Sequence, residues 1–321
     1  MRIIIWNFAV MKKENYHICL SGGDEVYCRS EEDYIFCFNA LALAVHETET
    51  SLLADSIMST HLHECVCSED PHLLIKKQRY PYTRYFNRKY HRKGILGQAK
   101  PFIMKLDGTY HNLAAITYTF RNALHHGVAP TPFAYRHSSA RVIFRKSLGH
   151  DEECKMLSPS RQHRHLPYRV KCPPGYRMDK TGLILREDVI DTVYVEHMYS
   201  SPRSFLYHMN LLTSEEWIRE QEKDRTEGTP ITIELIETGV RYQSLGEMLA
   251  NEHGNKNYRR MGDIELCTLI DKTLLPERGI ESVYTMPLSE KNAIANLLKT
   301  QYHIPIAQIN RCLAMSYPSG K

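Results

Sequence analysis

No acidic residue occurs between Asp70 and Asp107. That interval instead holds Lys76, Lys77, Arg79, Arg84, Arg88, Lys89, Arg92, Lys93, Lys100 and Lys105, although the formal net charge of the whole chain is only +4. Such a run is ordinarily a solvated basic face. When its charges serve a ligand, the ligand is most often polyanionic. No CxxC pair occurs, and the nine cysteines are odd in number and scattered. This excludes a disulfide framework and makes a reducing compartment, the cytoplasm, the simpler setting. No apolar run reaches the length of a membrane span, so no membrane partner is expected. The opening MRIIIWNFAV is too short and poorly flanked for a secretory signal, and Met11 opens a better domain beginning. There is neither an internal repeat nor a low-complexity tract.

The 321 residues suit two domains, or one domain with a large extension. YHICLS (16–21) alternates as a strand does. Residues 31–48 carry apolar residues at helical spacing. Residues 51–67 read as two strands or one long bent one. Pro71 suits a helix N-terminus, but Pro81 should break or kink that helix. AKPFIMKL reads as a strand. The next segment runs as a helix from a plausible N-cap, Asp107, to a plausible C-cap, Gly127. The order strand, helix, strand, strand, helix, strand, helix predicts an α+β fold, an antiparallel sheet with helices on one face.

After residue 149 the chain turns polar and turn-rich, which places a domain boundary there: 11–149, then 150–321. The second part reads as mostly helical, with helices expected in 186–199, 201–212, 213–224 and 242–254. Near 288–315 lie two short amphipathic helices, a pattern shared by helix-turn-helix motifs and by any helical hairpin.

Three features bear on chemistry. His61 and His63 alternate along a strand, so they share a face with Cα atoms about 6.5–7 Å apart. Two imidazoles at that spacing can share a metal ion, and two structural histidines can sit there equally well. Tyr118 and Asn122 lie one turn apart on a helix face, a weak signal in a chain with twenty tyrosines. The basic stretch 76–93 is interleaved with Tyr80, Tyr82, Tyr85, Phe86 and Tyr90. That suits a surface helix with buried rings, or a groove for single-stranded nucleic acid in which cations meet phosphates and rings meet bases. A zinc site in HLHECVC is the rival use of the histidines. Strand geometry disfavours it, because His61 and Cys65 stand about 13 Å apart.

Together these features resemble the REP-associated branch of the single-tyrosine HUH transposases. STHLHECV (59–66) is similar to that family's histidine–hydrophobe–histidine strand, and YTFRNALHHGV (118–128) to its tyrosine helix. YFNRKYHRKGILGQAKPF (85–102) resembles its basic segment, and FAYRHSSARVIF (133–144) its aromatic and Ser-Ser tail. Order and spacing match over roughly residues 14–149. Three supporting positions depart from the pattern: Ser59-Thr60 stands for Pro-Asn, Ala123 for proline, and His137 for tryptophan.

The resemblance implies a ferredoxin-like HUH domain with a mostly helical extension. It implies cleavage and strand transfer of single-stranded or hairpin DNA through a 5′-phosphotyrosine intermediate. Tyr118 would be the nucleophile, preferred over Tyr110 because only Tyr118 has asparagine four residues on. His61, His63 and Asn122 would hold Mg²⁺ or Mn²⁺. Lys76, Lys77, Arg79, Arg84, Arg88, Lys89, Arg92 and Lys93 would contact DNA, in a nucleoid-associated protein of the cytoplasm. A homodimer with the tyrosine acting in trans is the alternative to a monomer acting in cis. A catalytically silent DNA-binding regulator with the same fold is the alternative function.

Overall fold

The computed structural model describes residues 12–98, 100–150, 154–210, 231–240 and 261–316. Four strands, β1 (Glu14–Ser21), β2 (Ser51–Ile57), β3 (His61–Ser68) and β4 (Phe102–Lys105), form one antiparallel sheet in the order β2-β3-β1-β4. Helices α1 (Glu31–Glu47) and α2 (Pro71–Tyr90) make the crossovers, and α3 (Gly108–His125) follows β4. The expected α+β architecture is present, and residues 51–67 resolve into two strands.

Strand alternation divides the sheet into two chemically different faces. On β3, Leu62, Glu64 and Val66 point one way, while His61, His63 and Cys65 point the other. Gln78 of α2 donates to Glu64 Oε1, and the Tyr82 hydroxyl donates to the Tyr27 carbonyl at 2.6 Å. The first face is therefore covered by the α1/α2 layer, and α3 on the other face means that helices cover both faces of the sheet where one was expected. The histidine face is covered by α3. There Thr119 Oγ1 lies 3.4 Å from Cys65 Sγ, and the Tyr118 ring meets the His63 ring edge-on at 5.4 Å.

Pro81 neither breaks nor ends α2, which runs unbroken from Pro71 to Tyr90. Proline removes the bond to the carbonyl four residues back. That residue, Lys77, is exposed, so its carbonyl belongs to the solvent side of the helix. Burial of Leu74, Ile75, Tyr82 and Phe86 holds the opposite side down; each such side chain contributes roughly 1.5–3 kcal/mol.

The later residues pack against this frame. Residues near 184–191 lie along the β2 edge, with a parallel bridge between Leu52 and Ile190. A one-turn helix α4 (Pro159–Gln162) precedes α5 (Thr192–Tyr199) and α6 (Pro202–Met209). The Tyr199 hydroxyl meets Thr117 at 2.8 Å, and Phe205 meets Phe120 edge-on, which seats α5 and α6 on α3. Beyond the short α7 (Ile233–Ile236) come α8 (Asp263–Leu269), α9 (Leu288–Thr300) and α10 (Ile306–Cys312). The two helices expected near 288–315 are thus α9 and α10. Gln308, Ile309, Arg311 and Cys312 of α10 face inward. The helices expected in 213–224 and 242–254, and the opening decapeptide, lie outside the described residues. Among the described residues no helix is long and apolar enough to cross a membrane.

Candidate active site

His61 and His63 follow a tight turn at 58–60. The Met58 N–H donates to the His61 carbonyl at 2.7 Å, and the Gly22 N–H donates to the Thr60 carbonyl at 2.7 Å. Gly22 is required there, since a Cβ would sit 2.3 Å from the Glu25 carbonyl oxygen. The β1–β3 register sets Cys19 opposite His63, and His17 also points to the histidine face. Both histidines are fully buried, with ring centroids 5.0 Å apart.

Each ring has its Nδ1 engaged. His61 Nδ1 lies 2.9 Å from Thr60 Oγ1, and His63 Nδ1 lies 3.0 Å from His17 Nε2. The tautomer that donates from Nδ1 leaves a lone pair on Nε2 of each ring. Both Nε2 atoms are buried and make no hydrogen bond, and so is Asn122 Oδ1. Burial pushes the His61 pKa down to about 3, partly opposed by Asn122. Burial, then the neighbouring imidazoles, hold His63 well below the ordinary histidine value. The two rings are therefore neutral, and in that tautomer each presents an Nε2 lone pair.

Helix α3 supplies the other half. Tyr118 and Asn122 face the sheet from successive turns and are both buried. Asn122 Nδ2 donates to the Tyr118 hydroxyl at 3.4 Å, and that hydroxyl donates to Glu237 Oε1 at 2.6 Å. Tyr110 is half-buried in the first turn of α3, two turns from the cluster. At the other end Gly127, at φ 66°, ends the helix, and His125 and His126 stand 3.2 and 3.5 Å from Glu237. Burial would raise the Glu237 carboxyl pKa. Hydrogen bonds from His125 and Tyr118, with the nearby imidazoles, hold it below the usual value instead. Burial and the Glu237 charge push the Tyr118 phenol well above 10.

The structure thus brings His61, His63, Tyr118 and Asn122 together. It adds His17, Thr60, His126 and Glu237, none of which the sequence singled out as site residues. His17 could be found only from the β1–β3 register, and Glu237 lies 119 residues beyond the phenol it meets. Two imidazole nitrogens and one carboxamide oxygen, all buried and otherwise unsatisfied, fit a divalent cation in kind. The zinc set does not assemble. Cys65 is turned to Thr119, and among the described residues no group of three His, Cys, Asp or Glu side chains could hold a metal ion.

The basic stretch lies elsewhere. It belongs to α2 and the loop after it, on the opposite side of the sheet. Arg79 bonds the Leu96 carbonyl at 2.8 Å, and Lys77 pairs with Glu47. Lys89 contacts Glu32 and Asp33, each at 2.8 Å, and Arg92 is buried against Glu25. Lys76, Arg84, Arg88 and Lys93 are exposed.

No family model matches the chain, and no curated protein matches it. Among solved structures the chain is similar to a REP-associated tyrosine transposase bound to a REP hairpin, a remote likeness with 12% identity and a TM-score of 0.36 over 43% of this chain and 81% of that one.

Proposed function

We propose that this protein cleaves and rejoins single-stranded or hairpin DNA through a covalent phosphotyrosine at Tyr118, as a transposase of the HUH type. The observation that carries this is the convergence of two unsatisfied imidazole nitrogens and an unsatisfied carboxamide oxygen beside one phenol. His61 and His63 would hold Mg²⁺ or Mn²⁺ through Nε2, and Asn122 through Oδ1. When bound, the cation polarises the scissile phosphate and neutralises developing charge, an effect worth several kcal/mol. Thr60 and His17 fix the orientation of the two rings. The Tyr118 oxygen attacks phosphorus, the bond to the 3′ oxygen breaks, and that oxygen leaves as a hydroxyl with the proton the phenol gives up. The products are a 5′-phosphotyrosine ester and a free 3′ end, and the ester keeps the cleavage reversible without ATP.

The second reading, a DNA-binding protein without catalysis, is favoured by one feature. The phenol is capped by Glu237 and buried, so the reacting atoms are shielded from a phosphate. The experiment that separates the two is incubation with a single-stranded hairpin DNA and Mg²⁺ or Mn²⁺, followed by denaturing electrophoresis. A covalent adduct is expected, abolished by Tyr118→Phe, by chelator, and by His61→Ala with His63→Ala. Tight binding without an adduct would assign the protein to the regulator class.

A further inference from the structure

A second acid-free run, residues 154–178, lies beside the first in space although it is distant in sequence. It contains Lys155, Arg161, Arg164, Arg169, Lys171 and Arg177 with no Asp or Glu. Its short helical segment, Pro159–Gln162 and His163–His165, packs against α1, where Asn39 donates to the His165 carbonyl at 3.0 Å. A groove of about 830 Å³ opens between this segment and the outer side of α2. One wall carries Tyr80, Arg84 and Arg88; the other carries His163, Arg164 and Tyr168. No carboxylate of a described residue lines it. Lys89, which also lines it, is already paired with Glu32 and Asp33.

Two aspects of this groove point to a ligand. Among the described residues Arg84, Arg88 and Arg164 have no ion-pair partner, so three cations face one cleft uncompensated. Tyr80 and Tyr168 are 64% and 83% exposed, one on each wall, well beyond the intermediate exposure common for tyrosine. Each ring has a guanidinium over it, Arg84 at 5.7 Å and Arg169 at 5.0 Å. Cations at phosphate reach alternating with open ring faces are what a single strand of nucleic acid uses. A folded protein partner would meet the rings but leave the guanidinium groups to be matched by carboxylates. An anionic membrane would meet the charges, but a cleft does not lie flat on a surface.

We propose that this groove is a single-stranded nucleic-acid site built jointly by α2 and the extension. It lies on the side of the sheet away from the histidine cluster, with backbone phosphates on Arg84, Arg88 and Arg164 and bases stacked on Tyr80 and Tyr168. The groove extends the proposed function and rests on it only for the class of ligand. It would grip a strand outside the reacting phosphate, so binding and cleavage are separable.

The test is fluorescence anisotropy of a labelled 20-nucleotide oligo-dT with the full chain, over a series of salt concentrations. Arg164→Glu and the pair Arg84→Glu with Arg88→Glu are each expected to weaken binding about tenfold or more. They should also flatten the log–log salt slope by about 0.7 for each phosphate that is no longer neutralised. Tyr168→Ala should weaken oligo-dT binding while leaving inorganic polyphosphate competition unchanged, because only the oligonucleotide has bases to stack. Thermal melting confirms that each variant is folded. Affinities within twofold of the parent would overturn the proposal. Equal loss of polyphosphate and oligo-dT binding in Tyr168→Ala, or groove-dependent capture of anionic phosphatidylserine vesicles in place of oligo-dT, would also overturn it. An adduct at Tyr118 with unaffected groove variants defeats the groove alone. Groove-dependent binding without any adduct defeats the proposed chemistry alone.

Discussion

Glu237 sets the state of the candidate nucleophile. Its carboxylate accepts the Tyr118 proton in a 2.6 Å hydrogen bond, and its charge disfavours a phenolate beside it. The same charge would repel a phosphate entering the site. Glu237→Gln keeps the shape and removes the charge. Adduct formation is therefore expected to rise about tenfold, the scale of one unit-charge repulsion of roughly 1–2 kcal/mol near a partly solvated surface. The readout is the single-turnover rate of adduct formation at fixed metal. A fall in rate would mean instead that the carboxylate helps to remove the proton. Lys291 offers a separate test by pH. Its side chain is buried, Nζ donates to the Ala314 carbonyl at 2.7 Å, and burial followed by Arg29 pushes its pKa down to about 8. Between pH 8 and about 10.5 the native chain sheds a proton that the unfolded chain retains, so this group's penalty on stability is relieved as pH rises through that window. Lys291→Met removes this dependence. In urea titrations at pH 7 and pH 10, the parent should gain on the variant at the higher pH, and a constant gap would refute the assignment.

At the scale of elements, what the sequence makes legible tracks what is local. The β3 alternation of His61 and His63 with Leu62 and Glu64 was legible because period two needs no partner. The Tyr118–Asn122 pairing was legible because helical spacing is equally local. Continuity of α2 through Pro81 was not, since it depends on buried contacts of Tyr82 and Phe86 that outweigh one missing hydrogen bond. Nor was α3 on the far face, because a strand sequence does not say which element covers its polar side. The element with the largest hidden role is the stretch along the β2 edge. From it Arg186 reaches Asp55, with Nη2 3.0 Å from the carboxylate and both side chains nearly fully buried. Asp55→Asn would leave that guanidinium buried without its counter-charge. A loss of about 3–5 kcal/mol is expected, measured as a lower urea midpoint with unchanged slope. A loss below about 1 kcal/mol would show that water or the Arg136 carbonyl, 3.3 Å from Arg186 Nη1, replaces the carboxylate.

Taken as a whole molecule, the described residues before 150 and after 154 contribute to one contiguous hydrophobic cluster. Buried polar contacts cross the same divide. Arg29 donates to the Cys312 carbonyl at 2.7 Å and to Asp271 at 2.6 Å, Ser59 donates to Asp263 at 2.6 Å, and Asn39 donates to the Gly182 carbonyl at 2.7 Å. Releasing the later residues alone would strand Arg29 and Asp55 without their partners, and an unpaired buried charge is among the costliest defects a fold can carry. The two parts should therefore unfold together. In equilibrium urea unfolding, far-UV circular dichroism and tyrosine fluorescence should give coincident midpoints, and the calorimetric and van't Hoff enthalpies should agree. Two resolved transitions would show that the later residues are an independent unit docked on the sheet. A single transition has a consequence for the site as well. Global opening would then be too rare to serve the proposed reaction, which would need local displacement of residues 231–240 for DNA to reach Tyr118. Ile231 and Ile236 anchor that segment by burial, and releasing each costs about 1.5–3 kcal/mol. Ile236→Ala should accordingly speed adduct formation in the absence of urea, where the chain stays folded, and should also lower global stability in urea by the roughly 2–5 kcal/mol expected of a buried Ile→Ala change.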